Sequence, residues 1–346
     1  MKLEFGVMTF ADMPFEVQGG PGVNGHQRMQ ELLEEIKLAD ELGLDVFGVG
    51  EHHRPDYAVS APPVVLGAAA AITRNIKLTS AVTVLSSDDP VRVYQNFATV
   101  DLLSGGRAEI MAGRGSFIES FPLFGYDLND YDTLYSEKLN LLLEINESEK
   151  VNWTGRHRAP LQGQGIYPRA YQQKIPVWVA VGGTPASAVR AAKLGLPLTL
   201  AIIGGSPEQF VPFIQIYKDT WVKAGRDIED LQLGINNHVF IGEDDKEVAD
   251  LFYPYYAEVM TRIGRERGWP PLARQQYEYA RSPKGALMVG GVEQVVNKIV
   301  YEHKLFGFTR FLAHAGLGTV PHEAVMKSIE LFATRVVPEV RKQLEG

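Results

Sequence analysis

Short apolar runs rich in β-branched residues alternate along this chain with stretches whose apolar residues return every three or four positions. The first pattern reads as buried strand, the second as a helix packed on one face. Residues 3–10 form the first predicted strand, followed by a glycine-rich loop at Gly19, Gly20 and Gly22. Met29, Leu32, Leu33, Ile36, Ala39 and Leu42 then recur at helical spacing, and Gly43 ends that helix. Further strands are predicted over 46–49, 76–85, 108–112, 177–181, 198–203, 231–241 and 309–313. Helices are predicted over 62–73 and 133–145, and another runs from an Asp89 cap and Pro90 to Leu103. A helix after strand five reaches Leu194, and a final one carries Val325, Ile329, Phe332 and Val336 on one face.

Repeated strand–helix units require parallel strands. Eight strand candidates, each with a following helix, predict an α/β fold, a (β/α)8 TIM barrel, as a single domain over residues 1–346. A doubly wound open sheet is the alternative. Loop insertions interrupt the alternation at 115–130, 153–173 and 269–285. Loops at the strand ends of a barrel shape its pocket, so these insertions are expected to line a substrate site. They carry Phe117, Phe121, Phe124, Tyr167, Tyr171, Trp269, Tyr277 and Tyr279, which equally suit packing of the loops onto the barrel. The first insertion leans apolar, which favours a hydrophobic substrate.

Composition narrows the function classes. With 45% hydrophobic and 22% charged residues the 346-residue chain is that of an ordinary globular protein. A net charge of −8 and the lack of any basic run disfavour nucleic acid or an anionic membrane as partner. Zero cysteines exclude disulfides, thiolate metal sites and a cysteine nucleophile. The first apolar run contains Glu4 and reads as a strand, not a signal peptide, and the apolar segment 61–72 is too short to cross a bilayer. A soluble cytoplasmic protein is expected.

The chemistry gathers at predicted strand ends. Val49-Gly50-Glu51-His52-His53-Arg54 sends acid, base and cation out of the tip of strand two, where α/β barrels keep their catalytic groups. Adjacent histidines on an extended chain face opposite sides, so one is expected to be reactive and the other structural, with His52 the reactive one. Glu51 would hold a ring or an imidazole tautomer in place. No third ligand accompanies the His pair, so no metal is expected.

Strand five ends in Gly182-Gly183, and Thr184 and Pro185 fit the N-cap and first position of a helix that carries Ser187. This is either a phosphate cradle made of free N–H groups and the helix dipole or a plain strand-to-helix turn. Gly113-Arg114-Gly115 closes strand four, where the guanidinium suits a phosphate oxygen or a nearby carboxylate. Neither segment is a Walker motif or GxGxxG. Small residues at Thr79-Ser80-Ala81-Val82-Thr83 leave room for a flat ring or simply pack the barrel. His314, at the end of strand eight, faces the pocket or caps it.

In order and spacing these pieces resemble the bacterial-luciferase-like flavin-dependent monooxygenases over nearly the whole chain. The matching segments are Glu51-His52-His53, Pro90-Val91-Arg92, Gly113-Arg114-Gly115, Val179 to Pro185 with Gly195-Leu196-Pro197, and Pro321-His322-Glu323-Ala324-Val325-Met326. The resemblance implies FMN at the C-terminal face, with its ring over strand three beside a non-proline cis peptide at Ala81-Val82. It places Arg114, Gly183, Thr184 and Ser187 at the flavin phosphate, between Gly113 and Gly182, and gives His52 a proton-transfer role. It further implies a homodimer, reduced FMN supplied by a separate NAD(P)H-dependent flavin reductase, and O2 used to oxygenate a small organic substrate. Two positions depart from the luciferases: Asp132 falls near a further arginine of theirs, and Gly183 replaces a glutamate. A deazaflavin-dependent hydride-transfer enzyme and a non-catalytic flavin-binding protein are the alternatives in the same fold, and a metal-dependent hydrolase ranks last.

Overall fold

The computed structural model describes residues 2–13, 24–115 and 117–345. The glycine-rich loop at Gly19 to Gly22 lies outside the described residues. Eight strands carry the fold: β1 Glu4–Thr9, β2 Val46–Val49, β3 Lys77–Ser80, β4 Ala108–Gly113, β5 Val177–Val181, β6 Leu198–Ala201, β7 Leu233–Gly242 and β8 Arg310–His314. Each pairs in parallel with the next, and β8 pairs with β1, so the ring closes. The predicted (β/α)8 barrel is the observed fold.

Alternation along each strand divides its side chains between two compartments. Outward residues such as Phe5, Val7, Phe47 and Ile110 meet the surrounding helices in one large core. Inward residues Met8, Val46, Ala81, Met111, Trp178 and Leu312 form a separate cluster around the barrel axis. Beneath it, near the strand starts, Arg310 donates to Glu109 at 2.6 Å and 3.0 Å and to Glu4 at 2.6 Å. Its guanidinium lies 4.0 Å from the Trp178 ring centroid. Buried ions are tolerated only when paired and hydrogen-bonded, which this network provides. One end of the barrel is thereby plugged, and the strand ends are left for chemistry.

At that open end Gly50 has a steric reason. A Cβ there would run into the Phe10 ring and come within 3.1 Å of the Ala81 carbonyl oxygen. The glycine lets Phe10 cross towards the barrel axis.

Several elements differ from the sequence expectation. Strand three breaks after Ser80; Thr83–Val84 then pairs with β4, and a 3₁₀ turn Leu85–Ser87 follows. The insertion at 153–173 contributes to an antiparallel hairpin, Lys150–Trp153 with Leu161–Gly165. The insertion at 269–285 contains the helix Arg274–Arg281. An unpredicted strand, Met288–Gly291, pairs with residues 239–242 of β7, because β7 runs ten residues and its far end leaves the ring. No helix of the described residues is long and apolar enough to cross a membrane.

Candidate active site

After Val49 the two histidines part, as alternation predicted. His52 turns inward, stacking on Tyr57 at 4.3 Å between centroids and meeting Phe10 edge-on at 4.6 Å. Phe117, from the first insertion, covers it at 5.2 Å. His53 turns the other way, 2.9 Å from a Glu51 oxygen and edge-on to Phe124. The second Glu51 oxygen accepts the Val84 N–H at 2.9 Å. The carboxylate therefore pins the tip of β2 to the segment after β3, and the hydrogen bond that Glu51 accepts from the ring pushes the His53 pKa up.

The imidazole that Glu51 holds is thus His53. The carboxylate beside His52 is Glu119, whose Oε1 lies 3.6 Å from Nδ1. Burial pushes the Glu119 pKa up, but the His52 interaction and backbone N–H groups outweigh it and hold the carboxyl below its usual range. Nε2 of His52 is buried and has no hydrogen-bond partner among the described residues. With Glu119 on the Nδ1 side, the Nδ1–H tautomer is favoured and Nε2 offers a lone pair inward.

Beside this histidine the Ala81–Val82 peptide is cis, as the resemblance implied. Thr79, Ser80, Ala81 and Thr83 are buried, so their small size serves packing, whereas Val82 is half-buried. Ser80 Oγ accepts the Met111 N–H at 3.2 Å and the Thr83 hydroxyl at 2.9 Å, fixing the turn to β4. Gly113 answers to the same turn, because a Cβ there would sit 2.7 Å from a Val82 methyl.

Further along the rim the two glycine-flanked segments converge. Arg114 donates to Asp132 at 2.6 Å and to Ser187 Oγ at 3.3 Å, over the Tyr131 ring at 5.0 Å. The carboxylate reading of Arg114 is the observed one, and its second contact aims the guanidinium at the start of the helix Pro185–Leu194. Thr184 is the N-cap of that helix, yet its side chain caps no N–H. The first N–H groups of a helix lack intrahelical partners, so this start can receive an anion. Gly183 takes a φ of +107°, and a Cβ on Gly182 would meet nothing within 4 Å. One turn into the helix Arg190 adds a second guanidinium, 5.5 Å from the Tyr135 ring, with a buried Nη1 lacking any partner among the described residues. Two cations against one carboxylate leave this corner net positive.

A long helix, Asp245–Arg267, bounds the mouth on the far side. Its Tyr256 reaches His238 of β7 at 5.9 Å, Arg262 meets Asp56 at 3.3 Å, and Glu266 binds Arg54 at 2.5 Å. His314 faces inward, edge-on to Phe10 at 4.6 Å. The insertion aromatics divide: Phe117 and Phe124 touch the two histidines, Phe121 and Tyr277 are buried, and Tyr167, Tyr171, Trp269 and Tyr279 are exposed. Glu119, Arg190 and His238 are site residues that the sequence did not single out.

The family model described as luciferase-like monooxygenase matches residues 3–309. The 4-hydroxyprotoasukamycin monooxygenase of Streptomyces nodosus subsp. asukaensis is 25% identical, covering 91% of this chain and 87% of its own. Among solved structures, the oxygenating constituent of 3,6-diketocamphane monooxygenase of Pseudomonas putida, in complex with FMN, superposes with a TM-score of 0.77. It is 18% identical and covers 98% of each chain. The coenzyme F420-dependent tetrahydromethanopterin reductase of Methanopyrus kandleri superposes with a TM-score of 0.73 at 19% identity, covering 98% of this chain and 100% of its own.

Proposed function

The chain belongs to the luciferase-like monooxygenase family, and from that membership we propose an FMN-dependent, two-component monooxygenase acting on a small organic substrate. The observation that carries this reading is the meeting of Arg114 with Ser187 at 3.3 Å, at the same barrel end as His52. The fit of an anionic cofactor rests on the unpartnered Arg190 Nη1, the helix start that no side chain caps and the open space over Gly182. Arg114, Arg190, Ser187 and the N–H groups of 182–184 would hold its phosphate. The half-buried Val82 and the glycine at 113 leave the rim beside Ala81 for its ring.

When bound, reduced FMN supplies the electrons with which O2 is activated. The chain's own residues do the rest. His52 accepts or returns a proton at Nε2, and Glu119 orients its ring from the Nδ1 side. Phe10, Tyr57 and Phe117 keep water from that nitrogen, which strengthens every polar interaction near it. Glu51 and His53 lock the strand tip. A separate NAD(P)H-dependent reductase is the source of reduced FMN in this reading, which is consistent with the missing dinucleotide fingerprint.

Fluorescence titration of FMN against the purified chain tests the cofactor, and O2 uptake with chemically reduced FMN and a substrate panel tests the reaction. Tight FMN binding and substrate-stimulated uptake are expected. Saturation by F420 with no FMN binding would shift the reading to deazaflavin-dependent hydride transfer, F420 being the cofactor named for the Methanopyrus kandleri neighbour.

A further inference from the structure

We propose that His238 and His314, together with His52, form an imidazole wall that receives an uncharged oxygen, carbonyl or hydroxyl, on an otherwise apolar substrate. The inference rests on the reading that this barrel end is the reaction pocket, and it names the substrate's polar group.

The two histidines are register partners on neighbouring strands, at the last inward position of β8 and the same level of β7. Their ring centroids lie 5.1 Å apart. Phe10 bridges the wall to the reactive histidine, 4.6 Å from His314 on one side and 4.6 Å from His52 on the other. All three imidazoles are buried, at 2–6% exposure.

Each also has a buried ring nitrogen without a hydrogen-bond partner among the described residues: Nε2 of His52, Nδ1 of His238 and Nε2 of His314. Buried polar atoms are nearly always satisfied, and three exceptions in one contact group call for a ligand or water. The inward amide below them shows the contrast, since Asn236 donates to the Leu312 carbonyl at 3.1 Å.

The rings' other ring neighbours among the described residues are Phe10, Tyr57, Phe117 and Tyr256, and a carboxylate, Glu119, sits on the Nδ1 side of His52. Burial holds His238 and His314 well below the usual imidazole range, so they stay neutral. A neutral imidazole offers one donor and one acceptor, which suits a carbonyl or a hydroxyl and gives no charge to a carboxylate. No group of three or more His, Cys, Asp or Glu among the described residues has the arrangement to hold a metal ion.

The test uses the full chain labelled with 15N-histidine. Cyclohexanone, cyclohexanol, methylcyclohexane and cyclohexanecarboxylate are titrated with and without FMN, and flavin fluorescence is followed separately. Cyclohexanone or cyclohexanol should shift the ring nitrogens of His238 and His314, with methylcyclohexane and the carboxylate shifting them at least tenfold less at equal concentration. His314→Phe and His238→Phe should remove the preference for oxygen; should either fail to fold, His314→Gln and His238→Gln should retain part of it. Equal shifts from methylcyclohexane, or none from either oxygen-bearing probe while FMN binds, would overturn the inference. Loss of FMN binding would instead overturn the cofactor reading and leave the imidazole result standing.

Discussion

Nδ1 of His52 and Oε1 of Glu119 lie 3.6 Å apart, joining the tip of β2 to the loop that follows β4. Neither residue is near the other in sequence, and the pairing gives the inward nitrogen of His52 its lone pair. Replacing Glu119 with Gln keeps the shape and removes the charge. Turnover should fall on the order of 100-fold, the low end of what a positioned acid–base group contributes, while FMN affinity stays within a factor of about two. The pH–rate profile should shift as well, which a merely structural role would not produce. His52→Ala should lose at least as much turnover, and an unchanged rate of O2 uptake in that variant would remove its assigned role.

Asp132 competes for the guanidinium assigned to phosphate. Arg114 gives it a 2.6 Å bond, while Asp132 itself is 72% exposed and easily leaves. Asp132→Asn should therefore tighten FMN binding several-fold. Arg114→Ala should weaken it roughly tenfold or more, the value of one charge-assisted hydrogen bond of about 1.5–3 kcal/mol. It should also flatten the dependence of FMN affinity on salt, because exposed charges are the ones that salt screens. Fluorescence titration at low and high ionic strength reads both effects, and equal salt slopes in wild type and Arg114→Ala would contradict the assignment.

Much of this site is legible in the sequence where local rules decide the outcome. An apolar run ending in Glu51-His52-His53 marks a buried strand with its polar tip, and Asp89-Pro90 marks a helix start that the structure confirms through bonds to the Val91 and Arg92 N–H groups. Glu119 was not legible, because its partner is set by how the first insertion folds back over β2. Arg190 reads as an ordinary charged position inside a helix, and its unpartnered nitrogen is a property of packing against Tyr135. His238 is hidden in an apolar strand, since periodicity tells which side a residue faces and not what it meets there. The hairpin arm Leu161–Gly165, with sequence LQGQG, has no β-branched residue to announce a strand.

The outer faces of two neighbouring helices, Pro62–Ile72 and Pro90–Ser104, offer a surface for the homodimer that the family resemblance implies. The first contains no charged residue, and Val64 and Leu103 are 73% and 62% exposed beside a groove of about 460 Å³. Apolar surface of this kind is stabilised by covering it, at about 25 cal/mol per Å2 buried. Light scattering should give twice the chain mass, and Val64→Glu with Leu103→Glu should give the chain mass while circular dichroism is unchanged. A wild-type chain that is monomeric at micromolar concentration would refute the dimer.

The buried histidines should also make stability fall in acid. The His238 pKa drops from the ordinary 6.5 to about 4 because burial penalises its charged form, and His314 is displaced the same way. Between those values the unfolded chain takes up a proton that the native chain refuses. The contribution is fully present above pH 6.5 and is lost as pH falls towards 4, by up to about 1.4 kcal/mol per pH unit for each group. Asp12, raised from the ordinary 3.8 to about 7 by burial, works in the opposite direction across this whole window. The informative quantity is therefore the difference between wild type and His238→Phe, in which the Asp12 contribution cancels. Urea unfolding at pH 7.5 and 5.0 should show wild type losing more stability on acidification than the variant, by on the order of 1–2 kcal/mol. Equal losses would mean that His238 is protonated in the folded protein, and the neutral wall would go with it.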